Sequence, residues 1–135
     1  MESLQFLLDT NIVSHLVRHP QGIVRDRIAE VGEQSVCVSL LVAAELRFGA
    51  AKKQSARLTR QIDAVLSVLP ILPLETPLDG HYAEIRVALE TAGCTIGPND
   101  LIIAAHARAL GLTLVTDNLT EFSSVPGLLV QNWLS

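Results

Sequence analysis

Residues 6–20 read Phe6-Leu7-Leu8-Asp9-Thr10-Asn11-Ile12-Val13-Ser14-His15-Leu16-Val17-Arg18-His19-Pro20. Three apolar residues that stop at an acid read as a short strand. Asp9, Thr10 and Asn11 are all helix-opening types, because their side-chain oxygens accept from the unpaired amides of a first turn. Ile12 to His19 then reads as a helix, which Pro20 ends. Outward from this segment the alternation repeats. Ile23 to Val31 carries a helical stripe at 23, 24, 28 and 31, followed by Gly32. Val36 to Leu40 is a β-branched strand, and Leu41 to Lys53 and Ala56 to Leu69 are helices. Ile71 to Leu74 is a third strand. Leu78 to Ala92 is a helix closed by Gly93, and Asn99 to Leu110 another closed by Gly111. Thr113 to Thr116 is a strand, and Leu128 to Val130 a last one. Strands separated by helices predict an α/β fold with a central, mostly parallel sheet covered on both faces. Ligands of such sheets bind outside the carboxyl ends of the strands.

The chain has 135 residues, 49% apolar and 18% charged. That is enough for a single domain, residues 1–135, with one buried core. No apolar run is long enough to span a membrane. Met1-Glu2 lacks the basic start of a signal peptide. The two cysteines, Cys37 and Cys94, supply neither a disulfide framework nor a thiolate zinc site. Cys37, within Val36-Cys37-Val38, reads as a buried strand thiol, and the expected location is cytoplasmic. The net charge is −4, unlike that of a protein that coats nucleic acid. Yet Arg47, Lys52, Lys53, Arg57 and Arg60 lie in a window of 14 residues without an acid, half of the ten bases. This is either a solvated helix face or a contact surface for phosphate.

The acids stand at the edges of the elements. Asp9 follows the first strand, Asp117 follows Leu114-Val115-Thr116, and Asp100 opens the helix after Ile96-Gly97-Pro98. Singly, each is as well read as a helix cap or turn residue. A helix N-terminus would keep Asp100 ionised. Glu45 differs, because at helical spacing it shares a face with Leu41 and Phe48. A carboxylate there needs either a partner from elsewhere in the fold or a bound cation. Together these acids converge on one sheet edge, where a hard divalent ion such as Mg²⁺ relieves their repulsion. A carboxylate-held Mg²⁺ beside a basic patch suits phosphodiester hydrolysis. The four histidines, His15, His19, His81 and His106, lack a zinc-protease pattern and read as surface or core residues. The sparse aromatics (Phe6, Phe48, Tyr82, Phe122 and Trp133) argue against a stacking platform for bases.

Several pieces in order resemble a PIN-domain ribonuclease of the VapC toxin type. They are Leu8-Asp9-Thr10-Asn11, Glu45-Leu46-Arg47-Phe48-Gly49-Ala50, Gly97-Pro98-Asn99-Asp100-Leu101 through Ala104-Ala105-His106-Ala107, and Val115-Thr116-Asp117-Asn118. Glu121-Phe122, Val125-Pro126-Gly127-Leu128 and Asn132-Trp133 fit too, so the resemblance spans nearly the whole chain. It implies a three-layer α/β/α sandwich and endonucleolytic RNA cleavage dependent on Mg²⁺, for which Mn²⁺ can substitute. It implies Asp9, Glu45 and Asp100 as metal ligands and catalytic residues. The fourth acidic position falls to Asp117, or to Asn118 as a neutral oxygen donor, and Thr116 positions a water. Arg47, Lys52 and Lys53 are the candidate RNA contacts. The resemblance further implies a VapB-type antitoxin docked on the early helices, a homodimer within a toxin–antitoxin hetero-oligomer, and operator DNA bound only through the antitoxin. Within that family the likeness is to toxins that cut transfer RNA in the anticodon loop, including the initiator tRNA.

Two other classes compete. A haloacid-dehalogenase-type phosphatase also ends a strand in Asp, but wants a second Asp where Asn11 stands. A catalytically dead or receiver-like binding module would use the same fold for protein contacts alone. A receiver wants a late strand-end Lys, and no Lys follows Lys53.

Overall fold

The structure, a computed structural model, describes residues 3–134. Met1 and Glu2, on which the expectation about a signal peptide rests, lie outside them. Strands β1 (Phe6–Leu8), β2 (Val36–Ser39), β3 (Ile71–Leu72), β4 (Thr113–Val115) and β5 (Val130–Gln131) form one sheet in the order β3-β2-β1-β4-β5. Every neighbouring pair is parallel, so the expected mostly parallel sheet is wholly parallel. Leu8 stands opposite Val38 on one side and Val115 on the other. The helices are α1 (Thr10–Arg18), α2 (Ile23–Val31), α3 (Leu40–Lys53), α4 (Ala56–Leu66), α5 (Leu78–Ala92), α6 (Pro98–Leu110) and α7 (Leu119–Phe122).

The strand order decides where the helices go. From β1 the chain steps outward to β2 and β3, then crosses back past β1 to β4. Right-handed crossovers taken in opposite directions leave their helices on opposite faces of the sheet. Accordingly α1 packs with α2, α3 and α4, while α5 packs with α6. The reversal of direction creates a crevice at the carboxyl ends of β1 and β4, the place where such sheets bind ligands. The central strands are fully buried at Leu7, Leu8, Val36, Cys37, Val38, Leu114 and Val115, as expected of strands covered on both faces. Burial pushes the Cys37 thiol up to about 12. Among the described residues no helix is long and apolar enough to cross a membrane.

Most element boundaries lie within a few residues of the sequence expectation, and three of the shifts have clear local reasons. Helix α1 begins at Thr10, because Asp9 itself is the cap and accepts from the Thr10 amide at 2.7 Å. Helix α3 begins at Leu40, capped by Ser39, whose hydroxyl oxygen accepts from the Leu41 amide at 3.2 Å. Helix α4 stops at Leu66 instead of Leu69, because Pro70 disfavours helical backbone at the residue before it. Leu69 remains buried on the approach to β3. Of the four histidines, His106 lies in the core, with Nδ1 2.9 Å from the Ser39 hydroxyl. It thereby ties α6 to the cap of α3.

Candidate active site

Asp9 leaves the end of β1 between two neighbouring strands and is only 6% exposed. Its amide continues the ladder by donating to the Val115 carbonyl at 2.9 Å. One carboxylate oxygen takes the Thr10 amide, and the other takes the Thr116 hydroxyl at 2.9 Å. Burial raises the Asp9 pKa, and the charges of Glu45 and Asp117 add to that. The Thr10 and Thr116 hydrogen bonds oppose it. Asp9 is therefore both the helix cap and a buried carboxylate at the bottom of the crevice.

Glu45 comes in from α3, near the carboxyl end of β2. Its two oxygens accept from the Thr10 hydroxyl and, at 3.1 Å, from the Asn99 amide at the start of α6. No cation stands within ion-pair distance of it among the described residues. The partner that an acid on an apolar stripe requires is thus supplied by neutral donors, which leave its charge uncompensated.

Asp100 sits in the first turn of α6. It does not cap the helix; Gly97 does, without a side-chain bond. The Asp100 pKa is raised to about 7, chiefly by burial, then by a hydrogen bond and charge repulsion from Glu121, then by Asp9 and Glu45. The helix N-terminus was expected to hold this group ionised. Burial and the crowd of carboxylates outweigh it.

Glu121 is the member that the sequence pattern did not single out as an acid of the site. It projects from the four-residue α7, too short to show any period. One of its oxygens accepts from the Gly97 amide at 3.4 Å and the other from the Asn118 side chain. The Asn118-Leu119-Thr120-Glu121 spacing is that of two residues that cap each other around one turn, and this is the signal that could have found it. Asn118 caps α7, its oxygen accepting from the Glu121 amide at 3.4 Å, while its own amide donates to the Thr116 hydroxyl oxygen at 3.0 Å. Asp117 is exposed on the rim and accepts from Asn11 at 3.3 Å.

The structure thus brings together Asp9, Glu45, Asp100, Thr116 and Glu121, with Asp117 and Asn118 at the edge. The candidate RNA contacts are divided. Lys53 lines a cleft of ≈ 170 Å³ together with Thr10, Arg18 and Glu45. Lys52 lies over the Phe48 ring. Arg47 points to α4 instead and pairs with Asp63 at 2.7 Å. Two residues beyond Glu45 on a helix, it faces away from the acids. Both ends of that pair are exposed, so it contributes little stability.

These donors match a hard divalent ion in kind, since all are oxygens and several are carboxylates. Burial first, and then the charges of Glu121, Asp9 and Glu45, raise the Asp100 pKa, and a bound cation is what offsets such a setting. Among the described residues no three acids, imidazoles or thiols close into a ready cage. The arrangement fits an ion held by few protein ligands that keeps several waters, as Mg²⁺ commonly is.

Comparison with known proteins agrees with this geometry. The PIN domain family model matches residues 6–128. The chain is 40% identical over 133 residues to Ribonuclease VapC2 of Haemophilus influenzae, covering 97% of this chain and 99% of that one. It is 35% identical over 131 residues to the tRNA(fMet)-specific endonuclease VapC of Shigella flexneri, covering 96% and 98%. The crystal structure of VapBC2 from Rickettsia felis, bound to a DNA fragment from their promoter, contains a chain that superposes with a TM-score of 0.90. Identity there is 33%, with 96% and 99% of the two chains covered. The chain belongs to the PIN-domain family, in its VapC branch.

Proposed function

We propose that this protein is an endoribonuclease dependent on Mg²⁺ or Mn²⁺ and the toxin of a toxin–antitoxin pair. The observation that carries the proposal is the convergence of Asp9, Glu45, Asp100 and Glu121 on the crevice between β1 and β4. Burial and neighbouring carboxylates push one of the four, Asp100, up to about 7. In this reading Asp9, Glu45 and Asp100 would hold the ion, some of them through its waters, and Glu121 would join them in that outer layer. When bound, the ion supplies charge stabilisation on the phosphate and a more acidic water.

The chain's own groups do the rest. Thr116 fixes one Asp9 oxygen and Thr10 the other, and each oxygen keeps a lone pair for a further partner. Glu45, held by Thr10 and Asn99, is placed to accept a proton from the attacking water. Hydrolysis with departure of the 3′ oxygen leaves a 5′-phosphate. Lys53 and Arg18 line the adjoining cleft and are suited to hold the flanking backbone. Asp117 and Asn118 serve at the rim, Asn118 by orienting Glu121. Arg47 is a contact only if it leaves Asp63.

The relatives support an RNA substrate, and the Shigella protein's name supports initiator tRNA. The Rickettsia complex supports a VapB-type antitoxin as the partner, with operator DNA reached through it. A groove of ≈ 320 Å³ between α1, α2 and α4, with Leu16, Ile28, Val65 and Val68 on its walls, suits an apolar antitoxin segment. A homodimer within the hetero-oligomer and a cytoplasmic location complete the proposal.

The test is cleavage of total small RNA by wild type and Asp9→Asn, each with Mg²⁺ or EDTA, with the ends mapped. Discrete cuts with 5′-phosphates, made only by wild type with metal, are expected. Equal inertness of both proteins across metals and RNAs would favour the binding-module alternative.

A further inference from the structure

The aromatic residues are not all spent on the core. Phe122 and Trp133 are buried, and Phe6 and Tyr82 are half-buried. Phe48 is the exception, 66% exposed in the middle of α3. It lies three residues after Glu45, which makes the two side chains neighbours on the helix surface, with Cβ atoms about 5–6 Å apart. The helical turn puts the ring on the flank of Glu45 opposite the buried residues Val42 and Leu46. Lys52, one turn further, places Nζ 5.9 Å from the ring centroid. That is the outer limit of a cation–π contact, so the ammonium covers the ring only loosely. The space beside Gly49 is open, and a Cβ there would meet nothing within 4 Å.

We propose that Phe48 is a stacking platform for a nucleobase of the RNA next to the scissile phosphate, with Lys52 meeting the neighbouring phosphate. This rests on the endoribonuclease reading above and names a subsite for it. A phosphate held over Glu45 brings the base of the same or the adjacent nucleotide within reach of a ring one helical turn away. Stacking on an exposed ring is indifferent to base identity, because every base presents a π face. The setting favours a base over a protein partner. The ring is flanked by the charges of Glu45 and Lys52, and the apolar residues beside it, Ala44, Ala51 and the exposed Leu40, form a single helical row and not a broad patch. The composition argued against an extended platform of several rings; one ring at the lip of the acid crevice is a different device.

The experiment measures KM and kcat on an RNA that wild type cleaves, for Phe48→Ala, Phe48→Leu, Phe48→Tyr and Phe48→Trp. Phe48 is exposed, so the variants are expected to fold, and circular dichroism checks this. Phe48→Ala and Phe48→Leu are expected to raise KM about tenfold with kcat nearly unchanged, and Tyr and Trp to restore it. An RNA carrying 2-aminopurine beside the cut is expected to lose fluorescence on binding wild type and not on binding Phe48→Ala. A KM indifferent to the ring overturns the proposal, and so does full rescue by Leu. A changed molecular mass for Phe48→Ala with unchanged KM also overturns it, and assigns the ring to contact with a second copy. An inert wild type overturns the endoribonuclease reading itself, a result distinct from cleavage that ignores Phe48.

Discussion

The Thr116 hydroxyl donates to Asp9 Oδ2 across 2.9 Å and joins positions 107 residues apart. The same hydroxyl oxygen accepts the Asn118 amide, so one threonine connects the floor of the crevice to the turn that carries Glu121. Thr116→Val keeps the shape and removes both bonds. Cleavage is expected to fall roughly ten- to hundredfold, the usual cost of losing a hydrogen bond to a ligating carboxylate. Thr116→Ser is expected to retain most activity. Single-turnover cleavage rates decide it, and equal rates for Val and Ser would remove Thr116 from the site.

The fourth acidic position can be assigned by comparing neighbours. Glu121→Gln is expected to lower cleavage at least tenfold, on the scale of disturbing a metal site. Asp117→Asn, on the rim, is expected to change it by less than about threefold. The reverse order would return the role to Asp117. Metal affinity by calorimetry gives an independent comparison of the same two variants.

Asp100 sits where burial and three other acids disfavour its charge. At a pH above about 7 the folded protein carries that penalty in full. In EDTA, Asp100→Asn is therefore expected to raise the melting temperature by about 3 °C while abolishing cleavage. Adding Mg²⁺ is expected to raise the melting temperature of wild type and leave that of the variant unchanged, because only a site that binds the ion gains from it. A less stable variant in EDTA would contradict the crowding described here.

His106 makes a second electrostatic prediction, away from the acids. Burial lowers its pKa from the ordinary 6.5, although the Pro73 carbonyl and Glu75 oppose the shift. The folded imidazole resists a proton that the unfolded chain accepts. Stability is therefore complete above about pH 6.5 and is lost as the pH falls below it. His106→Gln is expected to flatten the decline of melting temperature between about pH 7 and pH 5. An unchanged slope would mean that the ring already carries its proton in the fold.

The two thiols should behave differently. Cys37 is buried, with its pKa pushed up to about 12, and Cys94 is exposed. One thiol is expected to react with a disulfide reagent in the native protein and both after denaturation. Rapid reaction of both in the native state would indicate that the β2 region opens.

Legibility followed the physics of each signal. Strand β1 and its acid were readable because three apolar residues stop abruptly at Asp9. Glu45 was readable because a carboxylate on an apolar helical stripe conflicts with its surroundings. Glu121 was not, because a four-residue helix has no period to violate, and its tie to Asp100 is made only by folding. The pairing of β1 with β4 was equally hidden, since register between strands a hundred residues apart leaves no mark in local pattern. The direction of Arg47 was hidden for a simpler reason. The basic cluster is contiguous in sequence, but a helix disperses it around its circumference, sending Arg47 to Asp63 and Lys53 to the cleft.

The position of β1 between β2 and β4 also has a meaning in time. Asp9 is synthesised 107 residues before Thr116, whose hydroxyl orients it, and Glu121, the acid beside Asp100, follows later still. A chain still emerging from the ribosome can build β1, β2 and β3 and their helices without possessing the crevice at all. Chemistry begins only when β4 and the turn that follows it insert beside the first strand, so a nascent chain stays harmless to the cell until both have been made.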